Sequence, residues 1–288
     1  MGLHTEELGP ARDIALGRAR IRYHDSGIGP PVVFVHGLLV NADLWRHVVP
    51  QVREAGFRCL APDWPLGAHS VPVPEADLAP PALADLIGAF LAELDLEDVT
   101  VVANDTGGAL AQILMTRDPG RIARVLLTPS DSYERFLPAF FRLLPPLARV
   151  PGAVQLLSEV IQQPALRPVL FSSVARSEIP TRVLDSWTRP CQEDAAVRED
   201  LRRFLRTVSK RHTLEAARSF PHVDIPVLLA WAREDLLFPV QDAHRLAADL
   251  PSAAVTLVER SRTFVPEDQP EALAALIVDF ARQHALAD

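Results

Sequence analysis

Asp105 stands where an apolar run, residues 99–103, gives way to a helical pattern with Leu110, Ile113 and Leu114 on one face. Ala103 lies two residues before it and Gly107 two after, so the chain can turn sharply from strand to helix and present a side chain at the top of a sheet. A carboxylate presented in that way can attack an electrophilic carbon and form an ester, or carry a proton as a general acid or base. The same residues also suit a plainer role, with Asp105 or Asn104 capping the first turn of the helix. A second segment precedes this one: Phe34, Val35, His36, Gly37, Leu38 and Leu39 form an apolar strand end closed by His-Gly, followed by a helix containing Trp45.

The elements that must position these residues follow from hydrophobic periodicity. Residues 31–35, 57–61, 99–103, 122–128, 227–231 and 254–258 read as buried strands, most of them separated by helical patterns. Such alternation predicts a mostly parallel central sheet covered by helices on both faces, because parallel neighbours need crossover connections. Between Thr128 and Val227 no strand periodicity remains. That interval holds amphipathic helical segments broken by Pro145, Pro146, Pro151, Pro164, Pro168, Pro180 and Pro190. The domain reading is a core of residues 1–131 and 221–288 with a helical cap at 132–220.

On these motifs the sequence resembles the α/β-hydrolase superfamily over nearly its whole length. The aspartate elbow followed by a helical cap is similar to the epoxide hydrolase and haloalkane dehalogenase branch. The resemblance implies an α/β-hydrolase fold in which the backbone N–H groups of Leu38 and Thr106 hold negative charge on a substrate oxygen. Residues 61–63, Ala-Pro-Asp, match the strand end that leads into a loop reaching Ser70, and residues 231–235 match the segment that makes Asp235 the triad acid. Residues 261–271 match the loop after the last strand, where the family has its catalytic histidine. Aligning Phe264, Glu267, Asp268 and Pro270 on that loop puts Thr263 at the histidine position, while His244 and His284 lie in helical patterns on either side and read as surface residues.

Threonine cannot activate water at neutral pH, and loss of general-base help costs roughly a hundredfold to ten-thousandfold in rate. His69, on the loop after Asp63, is the best substitute base, since that loop runs past the sheet edge where ligands bind. Asp131 occupies an alternative acid position used by some relatives, and Tyr133 is the one tyrosine of the cap that could protonate a leaving oxygen. His36, Asp131, Tyr133 and Thr263 are therefore the expected substrate-side residues. Resembling dehalogenases place Trp after the nucleophile and often Asn near the oxyanion turn; here those positions are Thr106 and Leu38, which ranks dehalogenation low. Three readings stay open: hydrolysis of an epoxide-like apolar molecule, non-hydrolytic isomerase, cyclase or lyase chemistry with Asp105 as acid or base, and a non-catalytic small-molecule binder similar to the hormone receptor branch.

Composition narrows the field. A net charge of −8 over 288 residues disfavours nucleic acid, and the arginines of residues 198–211 alternate with Glu199 and Asp200 as a solvated helix face does. The Asp-Thr-Gly at 105–107 occurs once and opens a helix, unlike the aspartic protease signature. Cys59 and Cys191 belong to no CxxC or Cys/His cluster and read as buried thiols, and no metal or organic cofactor is expected. Residues 1–10 carry no targeting signature and no apolar run approaches the ~18 residues of a membrane span, so a cytoplasmic protein without membrane contact is expected. Whether the chain acts as a monomer or a homodimer is left open.

Overall fold

A hairpin in addition to the six expected strands opens the sheet in the computed structural model. β1 (Ala11–Leu16) and β2 (Ala19–Ser26) pair antiparallel around Gly17 and Arg18, with Gly17 at φ +58°. β1 is the sheet edge, with its first three residues exposed, whereas β2 lies between β1 and β4 and alternates buried Ala19, Ile21 and Tyr23 with Arg20 and Arg22; Arg22 Nε donates to Asp13 Oδ1 at 2.8 Å across the hairpin. Six strands follow in the expected places: β3 (Pro31–Val35), β4 (Arg58–Pro62), β5 (Val99–Asp105), β6 (Ile122–Ser130), β7 (Val227–Ala232) and β8 (Ala253–Val258). The structure describes residues 5–163 and 165–283, so His284 and the first four residues lie outside it.

Among the described residues the sheet has the order β1-β2-β4-β3-β5-β6-β7-β8, parallel from β4 onward. Alternate residues of the same strands enter two separate cores. Val33, Val101, Leu127 and Leu229 face one, while Phe34, Val102, Leu126 and Ala230 face the other. Helices α1 (Val49–Glu54), α2 (Pro80–Glu93) and α3 (Thr106–Arg117) follow the early strands. The interval between β6 and β7 contains α4 (Leu144–Leu147), α5 (Ala153–Ile161), α6 (Arg167–Ser172), α7 (Thr181–Glu193), α8 (Ala195–Thr207) and α9 (Lys210–Ser219). The chain closes with α10 (Val240–Asp249), α11 (Val265–Asp268) and α12 (Pro270–Gln283). Leu83, Ile87 and Leu110 cover the first core, and Val49, Val52, Leu273 and Ile277 the second. The segment around Trp45 corrects an expectation: it is a 3-10 turn, Ala42–Trp45, rather than a regular helix, and the Asn41 side chain caps it by accepting from Asp43 N–H at 3.1 Å.

Glu267 and Asp268, part of the acidic-Pro pattern, turn out to be structural. Glu267 receives both terminal nitrogens of the buried Arg46, with Nη2 at 2.6 Å from Oε2. Asp268 Oδ1 accepts from Arg176 and Ser177 N–H at 2.8 and 2.7 Å, and its Oδ2 accepts from Arg262 N–H at 2.9 Å. Together they pin the loop that carries Thr263. Among the described residues no helix is long and apolar enough to cross a membrane, and no group of three or more His, Cys, Asp or Glu side chains could hold a metal ion.

Removing one partner of a buried ion pair strands the other charge, at a cost of roughly 3–5 kcal/mol. Arg46→Met should therefore lower unfolding free energy in urea by about that amount, and Arg46→Met/Glu267→Met should recover most of the loss. Equal losses in the single and double variants would show that the pair does not act as a unit.

Candidate active site

β5 passes into α3 through Asp105, whose backbone sits at φ +54°, ψ −128°. A non-glycine residue in that region is strained and persists only where its surroundings hold it. Three glycines make the bend feasible. A Cβ on Gly37 would collide with the Asp105 carboxylate, one on Gly107 with the carbonyl oxygens of Val35 and His36, and one on Gly108 with the Ser130 side chain. The Asp105 side chain makes no capping hydrogen bond to α3, which removes the helix-cap role; its Oδ2 instead accepts the Leu38 N–H at 3.0 Å. The Thr106 N–H lies close enough to favour the carboxylate as an anion. The Leu38 and Thr106 N–H groups thus both lie at the Asp105 carboxylate.

His36 is not on the substrate side. Its Nε2 accepts the Trp64 N–H at 2.8 Å, so the ring proton resides on Nδ1, which donates to the Gly37 carbonyl at 2.9 Å. The imidazole braces the oxyanion turn and does not line the cavity.

Three buried carboxyl groups surround the elbow. Burial pushes the Asp105 carboxyl up to about 6, against the opposing pull of the Leu38 and Thr106 N–H groups, and the charge on Asp235 adds to the rise. Asp131 is raised well above the usual carboxylate range, first by burial and then by the charge on Asp105. The Thr106 hydroxyl donates to Asp131 Oδ2 at 3.0 Å. With two N–H groups around Asp105 and a single hydroxyl on Asp131, Asp105 carries the charge of this pair and Asp131 the proton. Asp131 does not line the cavity, which corrects the expectation that it faces the substrate; it lies behind Thr106, whose hydroxyl donates to it.

Asp235 follows β7, and its Oδ1 accepts the Leu237 and Phe238 N–H groups, each at 2.7 Å. Burial raises this carboxyl to about 6 as well. Thr263, only 1% exposed, turns its hydroxyl close enough to Asp235 to favour the anion. Even so, neither Thr263 Oγ1 nor Asp235 Oδ2 has a hydrogen bond of normal geometry among the described residues. Asn104 is a contributor that sequence reasoning missed, having been weighed only as a helix cap. Its Nδ2 donates to the Thr263 carbonyl at 2.7 Å and to Thr128 Oγ1 at 2.8 Å, tying the last loop to the elbow. The available signal was a polar residue ending an otherwise apolar buried strand, which must find partners.

Beside Asp105 lies a cavity of about 340 Å³. Leu38, Leu39, Leu237 and Phe264 line it from the sheet side, and Leu137, Phe141, Leu157, Ile161, Val174 and Leu201 from the helical insertion. Asp105 is the one carboxylate among the described lining residues. The hydroxyls of Ser158, Ser173 and Thr188 also reach the wall but donate to the carbonyls of Gln155, Leu170 and Leu184 at 2.7 Å each.

His69 and Tyr133 lie elsewhere. The His69 Nδ1 accepts from Gly67 N–H at 3.4 Å and Nε2 donates to Asp200 Oδ2 at 3.2 Å, so the ring fastens its loop to α8 and cannot serve Asp105 as a base. Tyr133 donates its hydroxyl to Asp249 at 2.7 Å and stacks under the Arg245 guanidinium, 3.6 Å from the ring centre. Neither lines the cavity. His244 is exposed on α10.

Residues 30–270 match the family model described as alpha/beta hydrolase fold. The chain is similar to Haloalkane dehalogenase 2 of Mycobacterium tuberculosis, 27% identical over 272 residues that cover 91% of each chain. Among solved structures it resembles the haloalkane dehalogenase DatA from Agrobacterium tumefaciens C58, with TM-score 0.80, 22% identity, and 98% and 100% of the two chains covered. It also resembles an epoxide hydrolase, CorEH, with TM-score 0.80, 18% identity, and 95% and 99% covered.

An acid whose folded pKa is raised stabilises the fold below its unfolded pKa, and that contribution is lost as pH rises through the folded value. For Asp105, rising from 3.8 to about 6, the loss is on the order of 3 kcal/mol. Asp105→Asn should therefore gain stability over wild type as pH rises from about 4 to about 7 and hold a constant advantage above that, in urea unfolding across that range. A variant less stable than wild type at about pH 8 would mean that the anion is favoured by the fold.

Proposed function

The chain belongs to the α/β hydrolase fold family, and from that premise we propose that it is a hydrolase of apolar small molecules, of the epoxide class, working through Asp105. The observation that carries this reading is a lone carboxylate, held against the Leu38 N–H, in the wall of a largely apolar cavity. Such a cavity selects a ligand by apolar contact, and the carboxylate is then the one strong nucleophile in reach of an electrophilic carbon. Residues 132–220 act as a cap that sets specificity, since much of the cavity wall comes from them.

Epoxide opening suits the site better than loss of halide. The oxygen of an opened epoxide stays on the substrate and takes its proton from water, whereas a departing halide needs N–H donors aimed into the pocket. No Trp or Asn lines the cavity among the described residues, and the Thr106 hydroxyl is already committed to Asp131. A second reading is favoured by the Asp105 carboxyl lying near 6 beside an Asp131 that keeps its proton: Asp105 could rearrange a bound substrate as an acid or base without forming an ester.

Intact-protein mass spectrometry after incubation with lipophilic epoxides, haloalkanes and esters separates the readings. The hydrolase reading expects a mass gain equal to the whole epoxide, mapped to Asp105 and lost in Asp105→Asn. A diol product, with or without a trapped adduct, supports hydrolysis; an isomer of the epoxide with no water added supports rearrangement, and neither product nor adduct indicates a binding protein. Thr263→His should speed product release by on the order of a hundredfold, because it places an imidazole beside Asp235. No gain would count against that alignment of the final loop.

A further inference from the structure

We propose that Asp235 Oδ2 and Thr263 Oγ1 together hold the hydrolytic water, and that Asp235 deprotonates it directly, so that ester hydrolysis proceeds without a histidine. The inference rests on the reading of Asp105 as nucleophile. It starts from two buried polar atoms, neither with a hydrogen bond of normal geometry among the described residues, on side chains that lie close enough for the Thr263 hydroxyl to favour the Asp235 anion. An unsatisfied buried polar atom is costly, and a water between a carboxylate oxygen and a hydroxyl satisfies both, donating to the first and pairing with the second.

The surroundings fix this pair rather than leaving it adaptable. Asp235 Oδ1 is saturated by the Leu237 and Phe238 N–H groups, which leaves Oδ2 as the free acceptor. The Thr263 carbonyl is tied to Asn104, the residue next to the nucleophile, and the Asp268 clamp on Arg262 N–H holds the preceding residue. Neither Asp235 nor Thr263 lines the cavity itself, which corrects the expectation that Thr263 faces the substrate, but both sit close in the chain to residues that do. Leu237 and Phe264, which flank the pair in the chain, line the same cavity as Asp105, and the charge on Asp235 is felt at Asp105. The charged group that acts on Asp235 in turn is Arg262, and burial brings it to about 6, which suits a base working near neutral pH.

The chemistry balances as follows. The water oxygen attacks the ester carbon of Asp105 while Asp235 Oδ2 takes one water proton, and the negative charge that develops on the former carbonyl oxygen is held by the Leu38 and Thr106 N–H groups. Collapse breaks the bond to the substrate oxygen, which receives the proton from Asp235 and leaves as an alcohol. Asp105 is released as its carboxylic acid, ionises, and the cycle closes with no oxidant, metal or cofactor consumed.

The test follows formation and decay of the Asp105 ester by quenched-flow intact mass spectrometry, with styrene oxide as probe. Thr263→Val keeps the side-chain shape and removes the hydroxyl. Ester formation should stay at the wild-type rate while decay slows by about tenfold to a hundredfold, and Thr263→Ser should decay like wild type. Asp235→Asn should slow decay at least as much, and the Thr263→Val/Asp235→Asn double variant should be no slower than Asp235→Asn alone, as expected of one unit. Decay in Thr263→Val at the wild-type rate, or equal slowing in Thr263→Ser, would overturn the proposal. A high-resolution crystal structure of the wild-type protein supplies a readout independent of turnover. Solvent density bridging Asp235 Oδ2 and Thr263 Oγ1, lost in Thr263→Val, supports the site even if no ester forms with any probe, a result that would sink the nucleophile reading instead. No density there in the wild type would overturn the site itself.

Discussion

A charged carboxylate buried at a left-handed bend is the condition on which the rest of this structure depends. Neither the backbone at φ +54° nor the desolvated anion is favourable by itself, so the neighbours of Asp105 must compensate both. The Leu38 N–H addresses the charge, and glycines at 37, 107 and 108 provide the room. His36 spends both ring nitrogens holding the turn that aims that N–H. Asp131 keeps its proton because a second charge beside the first would have no further donors to meet it.

A second framework holds the far side of the site. Asp235 is fixed by two backbone N–H groups, Thr263 by Asn104, and the whole last loop by the Arg46–Glu267 pair and the Asp268 clamp. The Asn104, Arg46 and Arg176 contacts run between segments far apart in the chain and hold in place a loop without regular structure, while the Asp235 bonds are local. Thr263 is held in that loop by its carbonyl, with its hydroxyl close to Asp235.

The cavity between the two frameworks is apolar because its hydroxyls are turned inward to helix carbonyls. Asp105 is thereby left as the single carboxylate that a ligand meets among the described lining residues. The helical insertion is fastened to the core by polar contacts, with Asn41 Nδ2 donating to the Ser186 carbonyl at 3.0 Å and His69 to Asp200. The wall it contributes to the pocket is aliphatic and aromatic.

Much of this was legible in the residues themselves. Buried parallel strands are continuous apolar runs, and a strand-to-helix turn flanked by Ala103 and Gly107 has few meanings, so the six central strands, the elbow, the Leu38 turn and the positions of Asp235 and Thr263 could all be placed. The β1–β2 hairpin was not placed: β1 is an edge strand whose first three residues are exposed, and the apolar alternation of β2 is confined to residues 19–23 before the polar His24, Asp25 and Ser26. Side-chain allegiance was equally out of reach. His69 and Tyr133 lie on segments that pass near the pocket, yet they turn to Asp200 and Asp249, 131 and 116 residues away in the chain. Sequence determines which residue types stand at a bend, since local sterics and periodicity act over a few residues. Only the tertiary structure decides which of those side chains face the cavity, because each buried polar group turns toward whichever partner the folded chain brings within hydrogen-bond reach.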